Sequence, residues 1–253
     1  MSSFIPARAS FRKRGMLARL SDLIWPPRSL LSDALVDRPG VIEPALWGEL
    51  SFLGEPQCSR CGFPLPQAPG VEGVCGACSG RDPAYDTARA ALAYDDHARR
   101  LILDLKRGGR RDGLPVFARW MIAASGGVLE RADFLAPTPM HWTRLAVRSF
   151  NQAAWLAQAI AAASGKSWKP AALARVKRRK SQAGLSASER RRNVGGAIEA
   201  RTKCAGKVVI VVDDVFTTGA TLEACARALR KAGAAEVHGL TLARVVRPTD
   251  IMI

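Results

Sequence analysis

The chain has 253 residues, 48% of them hydrophobic, and its 38 Lys and Arg exceed its 22 Asp and Glu, which gives a formal net charge of +16 at pH 7. This apolar content suffices for a folded core of one or two domains, so the composition excludes a wholly disordered, collagenous or coiled-coil chain. The longest aliphatic run covers only residues 208–212, far short of the roughly 18 residues that a membrane-spanning helix requires.

The first 45 residues predict a basic, partly helical extension. Five Lys and Arg precede the first acidic residue, Asp22, but the continuous apolar stretch of a secretory signal is missing, so we expect a cytoplasmic protein. An organelle transit peptide and a translation start at Met16 are two alternative hypotheses. The simplest alternative is a short helix with Met16, Leu17, Leu20 and Ile24 on its apolar face, ending at Pro26 and Pro27.

Residues 46–84 predict a small zinc ribbon. They are rich in Pro and Gly, and they contain two identical CxxC pairs separated by 13 residues: Cys58 with Cys61, and Cys75 with Cys78. Each CxxC turn presents two thiolates to one ion, and two turns complete a tetrahedral sulfur shell that suits structural zinc. Disulfides or unrelated free thiols are the alternatives, and cytoplasmic placement and the repeated spacing disfavour them. Cys204 and Cys225 lack this spacing and are expected to be ordinary small apolar residues.

From residue 85 the pattern alternates between strands and helices. Residues 87–94 predict a strand, after which Asp95 or Asp96 caps a helix that ends at Gly108 and Gly109. A second helix begins near Pro115, and residues 132–136 predict a short buried strand. A third helix follows the next loop. The predicted apolar faces are Ala98, Leu101, Ile102 and Leu105 in the first helix; Phe117, Trp120, Met121 and Ile122 in the second; and Trp155, Leu156, Ala159, Ile160 and Ala163 in the third.

The C-terminal third has the pattern of a βαβ unit. A strand at 208–212 leads through a polar loop into a helix, Gly233 ends that helix, and a strand follows near 236–245. The apolar face of the helix comprises Leu222, Cys225, Ala226 and Leu229. Residues 85–253 are therefore predicted to form one α/β domain, a parallel sheet with helices on both faces.

The loop of this unit concentrates the polar chemistry. The apolar strand ends in Asp213 and Asp214, and the hydroxyl-bearing residues and Gly219 that follow open the helix. Amides at a helix N-terminus bind phosphate, whereas two adjacent carboxylates suit the vicinal hydroxyls of a sugar, so the segment suggests a ribose 5-phosphate site. The alternative is a plain junction in which Asp214 or Thr218 only caps the helix.

These residues also carry a family resemblance. The loop at 213–221 resembles the loop that binds 5-phosphoribosyl 1-pyrophosphate (PRPP) in type I phosphoribosyltransferases, which have a parallel α/β core and use Mg2+. With the preceding four-cysteine ribbon, the chain resembles the ComF family, which is associated with DNA uptake in natural competence. Stretches at 103–108, 137–152 and 178–193 carry the same resemblance, whereas Ser149 departs from it at a position where Gly is expected.

The resemblance implies roles for particular residues. Asp213 and Asp214 would bind the ribose hydroxyls, and the 5-phosphate would be wrapped by Thr217, Thr218, Gly219, Ala220 and Thr221. The loop after Pro137 would hold the pyrophosphate, and residues 175–193 would form a mobile loop that closes over it. The cationic candidates are Lys106, Arg144, Arg148, Arg178 and Lys180, and the sequence identifies no catalytic base.

Two functional hypotheses follow. The first is Mg2+-dependent transfer of phosphoribose from PRPP to an unknown acceptor. The second is a non-catalytic zinc protein that handles single-stranded DNA, with partners in the uptake machinery and a degenerate phosphoribosyltransferase core. Basic runs at 175–180 and 190–192 favour binding of a polyanion, but the 6% of aromatic residues are not interleaved with them, so no base-stacking platform is evident.

Overall fold

The computed structural model describes residues 26–66, 73–107, 110–140, 150–176 and 198–246. Within these ranges, none of the helices combines the length and the apolarity needed to cross a membrane. The elements are, in chain order, α1 Pro44–Trp47, α2 Gly76–Ser79, β1 Thr87–Ala93, α3 Asp96–Lys106, α4 Leu114–Ala124, α5 Val128–Arg131, β2 Phe134–Pro137, α6 Gln152–Ser164, β3 Leu173–Arg175, β4 Ile198–Ala200, β5 Val208–Phe216, α7 Ala220–Lys231 and β6 Glu236–Arg244.

The centre of the fold is a parallel sheet in the order β1-β6-β5-β2. Its two inner strands pair from Val208 opposite Glu236 to Phe216 opposite Arg244. Residues 167–169 extend the sheet beyond β2, where the Leu135 amide donates to Ser167 and the Lys169 amide donates to Leu135, both at 2.9 Å. Strands β3 and β4 form a separate antiparallel pair. The predicted parallel α/β fold is confirmed.

Helix α3 begins as the sequence predicts. The Asp95 side chain accepts a hydrogen bond of 2.8 Å from the Ala98 amide, and this caps the helix. The four residues of the predicted apolar face are all buried. Helix α3 ends at Lys106, before the predicted glycine stop at 108–109, which lies outside the described residues.

The apolar face of α6 differs from the prediction. Ala163 is exposed and Trp155 and Ala159 are only half-buried, so these three residues do not form the centre of the face. Because the helix starts at Gln152 and packs against α4 and the sheet, the buried positions follow the helical spacing from its first turn. The buried apolar residues are Ala153, Leu156, Ala157, Ile160 and Ala161.

The cysteine-rich segment shares its packing with the sheet. Residues 51–53 run antiparallel to β1, with the Leu53 amide donating to Ala91 at 2.9 Å, and the Ala88 amide donates to Arg60 at 2.7 Å. The four cysteines of the CxxC pairs, Phe63, Tyr85 and the inner face of α7 belong to one hydrophobic cluster. Packing therefore runs continuously across the division that the sequence places between residues 84 and 85.

Candidate functional site

The four cysteines of the two CxxC pairs meet in one buried cluster. Their sulfur atoms all lie within 4.8 Å of one another, and Cys61 Sγ is 3.6 Å from Cys75 Sγ. Four sulfurs around a tetrahedral zinc at about 2.3 Å are about 3.8 Å apart, so the cluster has the size of a zinc site. All six cysteines of the chain lie in the described ranges, and none forms a disulfide.

Local backbone geometry creates this arrangement. The Gly62 amide donates to the Cys58 carbonyl at 2.9 Å, and the Cys75 amide donates to Cys58 Sγ at 3.3 Å. Gly62 has φ of 67°, and a Cβ there would lie 2.6 Å from the Ala88 carbonyl oxygen. A residue other than glycine would therefore be strained, and it would push the first CxxC turn away from β1.

The thiols perturb one another. Hydrogen bonding with Cys61 lowers the pKa of Cys58 to about 4, whereas burial, as the largest cause, raises the pKa of Cys78 to about 12. Several thiolates in one buried cluster repel one another, and a divalent cation removes that repulsion. The donor set therefore fits structural zinc, with all four coordination positions filled by protein sulfur.

The second candidate site lies at the carboxyl ends of β5 and β6. The strand continues through Phe216, so Asp213 and Asp214 lie within β5. The sequence instead predicts a strand that ends at residue 212, with both carboxylates after it. Because successive strand residues face opposite sides of a sheet, the two carboxylates separate. Asp213 faces the side covered by α7 and lines a cleft, whereas Asp214 contacts α3.

The environment of Asp213 makes it an unusual carboxyl group. Burial raises the pKa of Asp213 to about 7, and the charge of Asp214 adds to this effect. A hydrogen bond with the Thr138 hydroxyl and one of 2.9 Å from the Asp214 amide oppose the rise. Asp213 therefore titrates near neutrality, and a ligand that donates hydroxyl hydrogens to it would favour its ionised form.

Asp214 is held by the predicted cation Lys106. Lys106 Nζ lies 2.9 Å from Asp214 Oδ2, and the two side chains are 29% and 14% exposed. Since Lys106 occupies the last turn of α3, the pair joins that helix to the end of β5. The structure thus places Lys106 at the candidate site, bound to a carboxylate.

Most of the predicted phosphate-binding loop lines the same cleft. Thr217, Gly219 and Thr221 border it together with Asp213, at the start of α7. Gly219 is the N-cap residue with φ of 75°, and its carbonyl accepts from the Glu223 amide at 2.8 Å. The first turn of α7 and the positive end of its helix dipole therefore face a cleft that the side chains of Thr217 and Thr221 also line.

Thr218 and Ala220 occupy different positions. The Thr218 hydroxyl accepts a hydrogen bond of 3.4 Å from the Ala220 amide, and neither residue lines the cleft. The N-cap residue of α7 is Gly219 and no side chain among the described residues caps this helix, so the alternative interpretation, in which Asp214 or Thr218 caps it, is wrong.

Sequence reasoning missed two contributors from β6, Gly239 and Thr241, and it placed Thr138 only in the loop expected to hold the pyrophosphate. Thr138 follows β2, and Thr241 is the β6 partner of Asp213. A Cβ at Gly239 would lie 2.4 Å from Leu222 Cδ2, so a larger residue there would require the Leu222 side chain to shift. The order of parallel strands could have identified Thr138 and Thr241, since it brings their carboxyl ends together.

Four of the predicted cations, Arg144, Arg148, Arg178 and Lys180, lie outside the described residues. Described residues flank both segments. Asn151 caps α6, and its Nδ2 donates to the Thr138 carbonyl at 2.9 Å, so Asn151 itself lies beside the residue that follows β2. The β3–β4 pair, which flanks the second segment, packs with β4 against α7.

Two family models match different parts of the chain. A family model described as a double zinc ribbon domain matches residues 20–79, and one described as a phosphoribosyl transferase domain matches residues 147–249. The first match begins within residues 1–45, the segment that the sequence assigned to an N-terminal extension.

Curated relatives cover most of the chain. "DNA utilization protein YhgH" of Salmonella typhimurium is 30% identical over 196 residues, which are 75% of this chain and 84% of that protein. "Competence protein F" of Haemophilus influenzae is 29% identical over 197 residues, 75% of this chain and 85% of that protein. A solved structure of "the allosteric regulatory enzyme of purine biosynthesis" aligns with a TM-score of 0.37 at 22% identity, over 55% of this chain and 29% of that one, a likeness too distant to carry weight.

Proposed function

The chain belongs to the ComF family, and from that premise we propose that its cleft binds PRPP with Mg2+ and transfers the phosphoribosyl group to an acceptor. One observation carries the proposal. Asp213, Thr217, Gly219 and Thr221 border a single cleft at the N-terminus of α7. This combination offers a carboxylate for sugar hydroxyls beside amides and hydroxyls for a phosphate.

Each described group has a specific part in this proposal. The 5-phosphate accepts hydrogen bonds from the first amides of α7 and from Thr217 and Thr221, while Asp213 accepts from a ribose hydroxyl. Lys106 lies beside Asp214 and is available as a cation for the pyrophosphate. Mg2+ would neutralise further charge on that leaving group.

The reaction breaks the bond between ribose C1 and the pyrophosphate oxygen and forms a bond from C1 to the acceptor. The protein contributes mainly by holding the two ends of PRPP in place and by stabilising the charge of the leaving pyrophosphate. Arg144, Arg148, Arg178 and Lys180 are proposed as additional cations for that charge.

Calorimetric titration with Mg2+ and PRPP tests this proposal. We expect saturable binding by the parent protein and no binding by the variant with Asp213→Ala and Asp214→Ala. The matched control is Asp133→Ala, which removes a carboxylate just before β2, at the amino ends of the strands and therefore away from the cleft at their carboxyl ends, and it should bind PRPP as the parent does. Equal PRPP affinity in the parent and the Asp213/Asp214 variant would refute the assignment.

A second candidate function is handling of single-stranded DNA by a core that does not turn over. The net charge of +16 and the printed names of the relatives, "DNA utilization" and "Competence", favour it. Neutralising three cations that contact a single strand reduces the slope of log K against log salt by about 2. We expect that reduction for Arg178, Arg179 and Lys180 changed to Gln.

The control changes the exposed Arg99, Arg100 and Arg119 to Gln, which removes the same charge from α3 and α4. An identical salt slope in the two triple variants would mean that DNA does not use the 178–180 segment specifically. Retention of DNA binding in the Asp213/Asp214 variant would separate this function from PRPP binding.

A further inference from the structure

Arg244 lies at the junction of the zinc ribbon and the phosphate-binding loop. It is the last residue of β6, it is 3% exposed, and it pairs across the sheet with Phe216, the last residue of β5. The mechanism proposed above gives it no role. A buried guanidinium is costly unless its surroundings compensate its charge, so its contacts require an explanation.

On one side, Arg244 holds the first CxxC turn. Its Nη1 donates to the Cys61 carbonyl, and the centre of the guanidinium lies 5.2 Å from the Phe63 ring. Phe63 is fully buried, and its carbonyl accepts from the Cys58 amide at 2.7 Å. Arg244 therefore contacts the backbone that sets the positions of two zinc ligands.

On the other side, Arg244 lies 4.9 Å from the Phe216 ring centroid. That ring fills the space beside Gly219, since a Cβ at Gly219 would lie 2.8 Å from Phe216 Cζ. Tyr85 contacts the same ring edge-to-face with the centroids 6.4 Å apart. Phe216, which lies against the left-handed turn at Gly219 that starts α7, is thus in contact with Tyr85 and with Arg244, and Arg244 also contacts the ribbon.

The charge of Arg244 is consistent with a zinc-loaded ribbon. In the described part of the chain, its Nε has no hydrogen-bond partner and no carboxylate forms a salt bridge with its side chain. One Zn2+ with four thiolates carries a net charge of −2. Arg244 donates to the Cys61 carbonyl and lies within cation–π distance of two aromatic rings, so it would supply a countercharge to a zinc-loaded cluster.

We propose that Arg244 is a positioning residue that couples zinc in the ribbon to the shape of the phosphate-binding loop. With zinc bound, the Cys61 turn and Phe63 hold the guanidinium, which fixes Phe216 and leaves Gly219 in its left-handed turn. Loss of zinc releases the Cys61 turn, so Phe216 is held less firmly and the phosphate-binding loop becomes less ordered. The effect of zinc on PRPP binding rests on the function proposed above, whereas the effect of zinc on the order of the loop does not.

Hydrogen exchange measures loop order without any ligand. We expect the amides of residues 216–223 to exchange about tenfold faster in full-length zinc-loaded Arg244→Met than in the parent protein. Amides of α6, on the opposite face of the sheet, should keep their parent rates. Removing zinc from the parent should accelerate the same loop, and Arg244→Lys, which keeps the charge but cannot stack as a plane, should give an intermediate rate.

Arg230→Met is the matched control. Arg230 lies in the last turn of α7 and forms a salt bridge of 2.6 Å with Asp86, so its loss also removes an arginine contact from the same helix. We expect normal exchange at residues 216–223 in this variant. The proposal would be overturned if residues 216–223 exchanged at the parent rate in both zinc-loaded Arg244→Met and zinc-loaded Arg244→Lys. It would also be overturned if Arg230→Met accelerated exchange at these residues as much as Arg244→Met does.

A linkage measurement tests the functional consequence. Competition with a zinc chelator gives the zinc affinity with and without saturating PRPP and Mg2+. Because coupling between two sites is reciprocal, PRPP should tighten zinc binding in the parent by the same factor, about 5- to 50-fold, by which zinc tightens PRPP binding.

The factor by which PRPP tightens zinc binding should fall to about one in Arg244→Met. A merely destabilised protein such as Arg230→Met should retain the factor of the parent. An undiminished factor in Arg244→Met would contradict the coupling role. Absence of PRPP binding by the parent would defeat the proposed function alone, since the exchange experiment would still decide the role of Arg244.

Discussion

Replacing Gly219 with Ala tests the geometry of the phosphate-binding loop most sharply. Gly219 has φ of 75°, and the added Cβ would lie 2.8 Å from Phe216 Cζ. The left-handed conformation alone costs a non-glycine residue about 1–2 kcal/mol. Displacing Phe216, which is only 8% exposed and packed between Tyr85 and Arg244, adds about 1–3 kcal/mol.

The control is Gly206→Ala. Gly206 has a similar φ of 68°, but a Cβ there meets nothing within 4 Å. At about 2–4 °C per kcal/mol, we expect thermal unfolding to show a loss of about 2–8 °C for Gly206→Ala and about 4–20 °C for Gly219→Ala. PRPP affinity should fall at least tenfold in Gly219→Ala only. Equal losses of stability with unchanged PRPP affinity in both variants would refute the role assigned to the contact between Phe216 and Gly219.

Three further predictions concern single side chains. The folded-state pKa of Asp213 is about 7 against an ordinary 3.8, so the free energy of unfolding of the parent should fall as pH rises from about 4 to 7. In urea unfolding, Asp213→Asn should therefore be more stable than the parent at pH 8 but not at pH 4. The same dependence of the unfolding free energy on pH in this variant and the parent would contradict this. Metal analysis should find one zinc per parent chain, one in Cys204→Ser and none in Cys58→Ser, and equal zinc in the two variants would exclude the assigned cluster. Lys106→Met leaves the mostly buried Asp214 unpaired and should cost about 1–3 kcal/mol in chemical denaturation, whereas an unchanged midpoint would show that the pair is not stabilising.

The features that were predictable from sequence have local causes. The CxxC spacing predicts the zinc cluster because a turn of four residues fixes two sulfurs on one side. Similarly, the apolar spacing of α7 predicts its buried face, and Leu222, Cys225, Ala226 and Leu229 are all buried as expected.

The features that the sequence missed depend on long-range packing. Adjacent Asp213 and Asp214 suggest a joint role, but the extension of β5 to Phe216 places them on opposite faces of the sheet. Thr241 reaches the cleft only through strand pairing. Arg244 resembles any other basic residue until the ribbon is docked against β1, because its partners Cys61 and Phe63 are about 180 residues away in the chain.

Phosphorus NMR of PRPP with Mg2+ and the purified protein tests the central claim most directly. The parent protein should shift or broaden the 5-phosphate signal, and free pyrophosphate should accumulate beyond the protein-free control once an acceptor is present. The variant with Asp213→Ala and Asp214→Ala should leave all signals unchanged. Spectra of the parent that match the protein-free sample, at protein concentrations equal to PRPP, would contradict the assignment of the cleft.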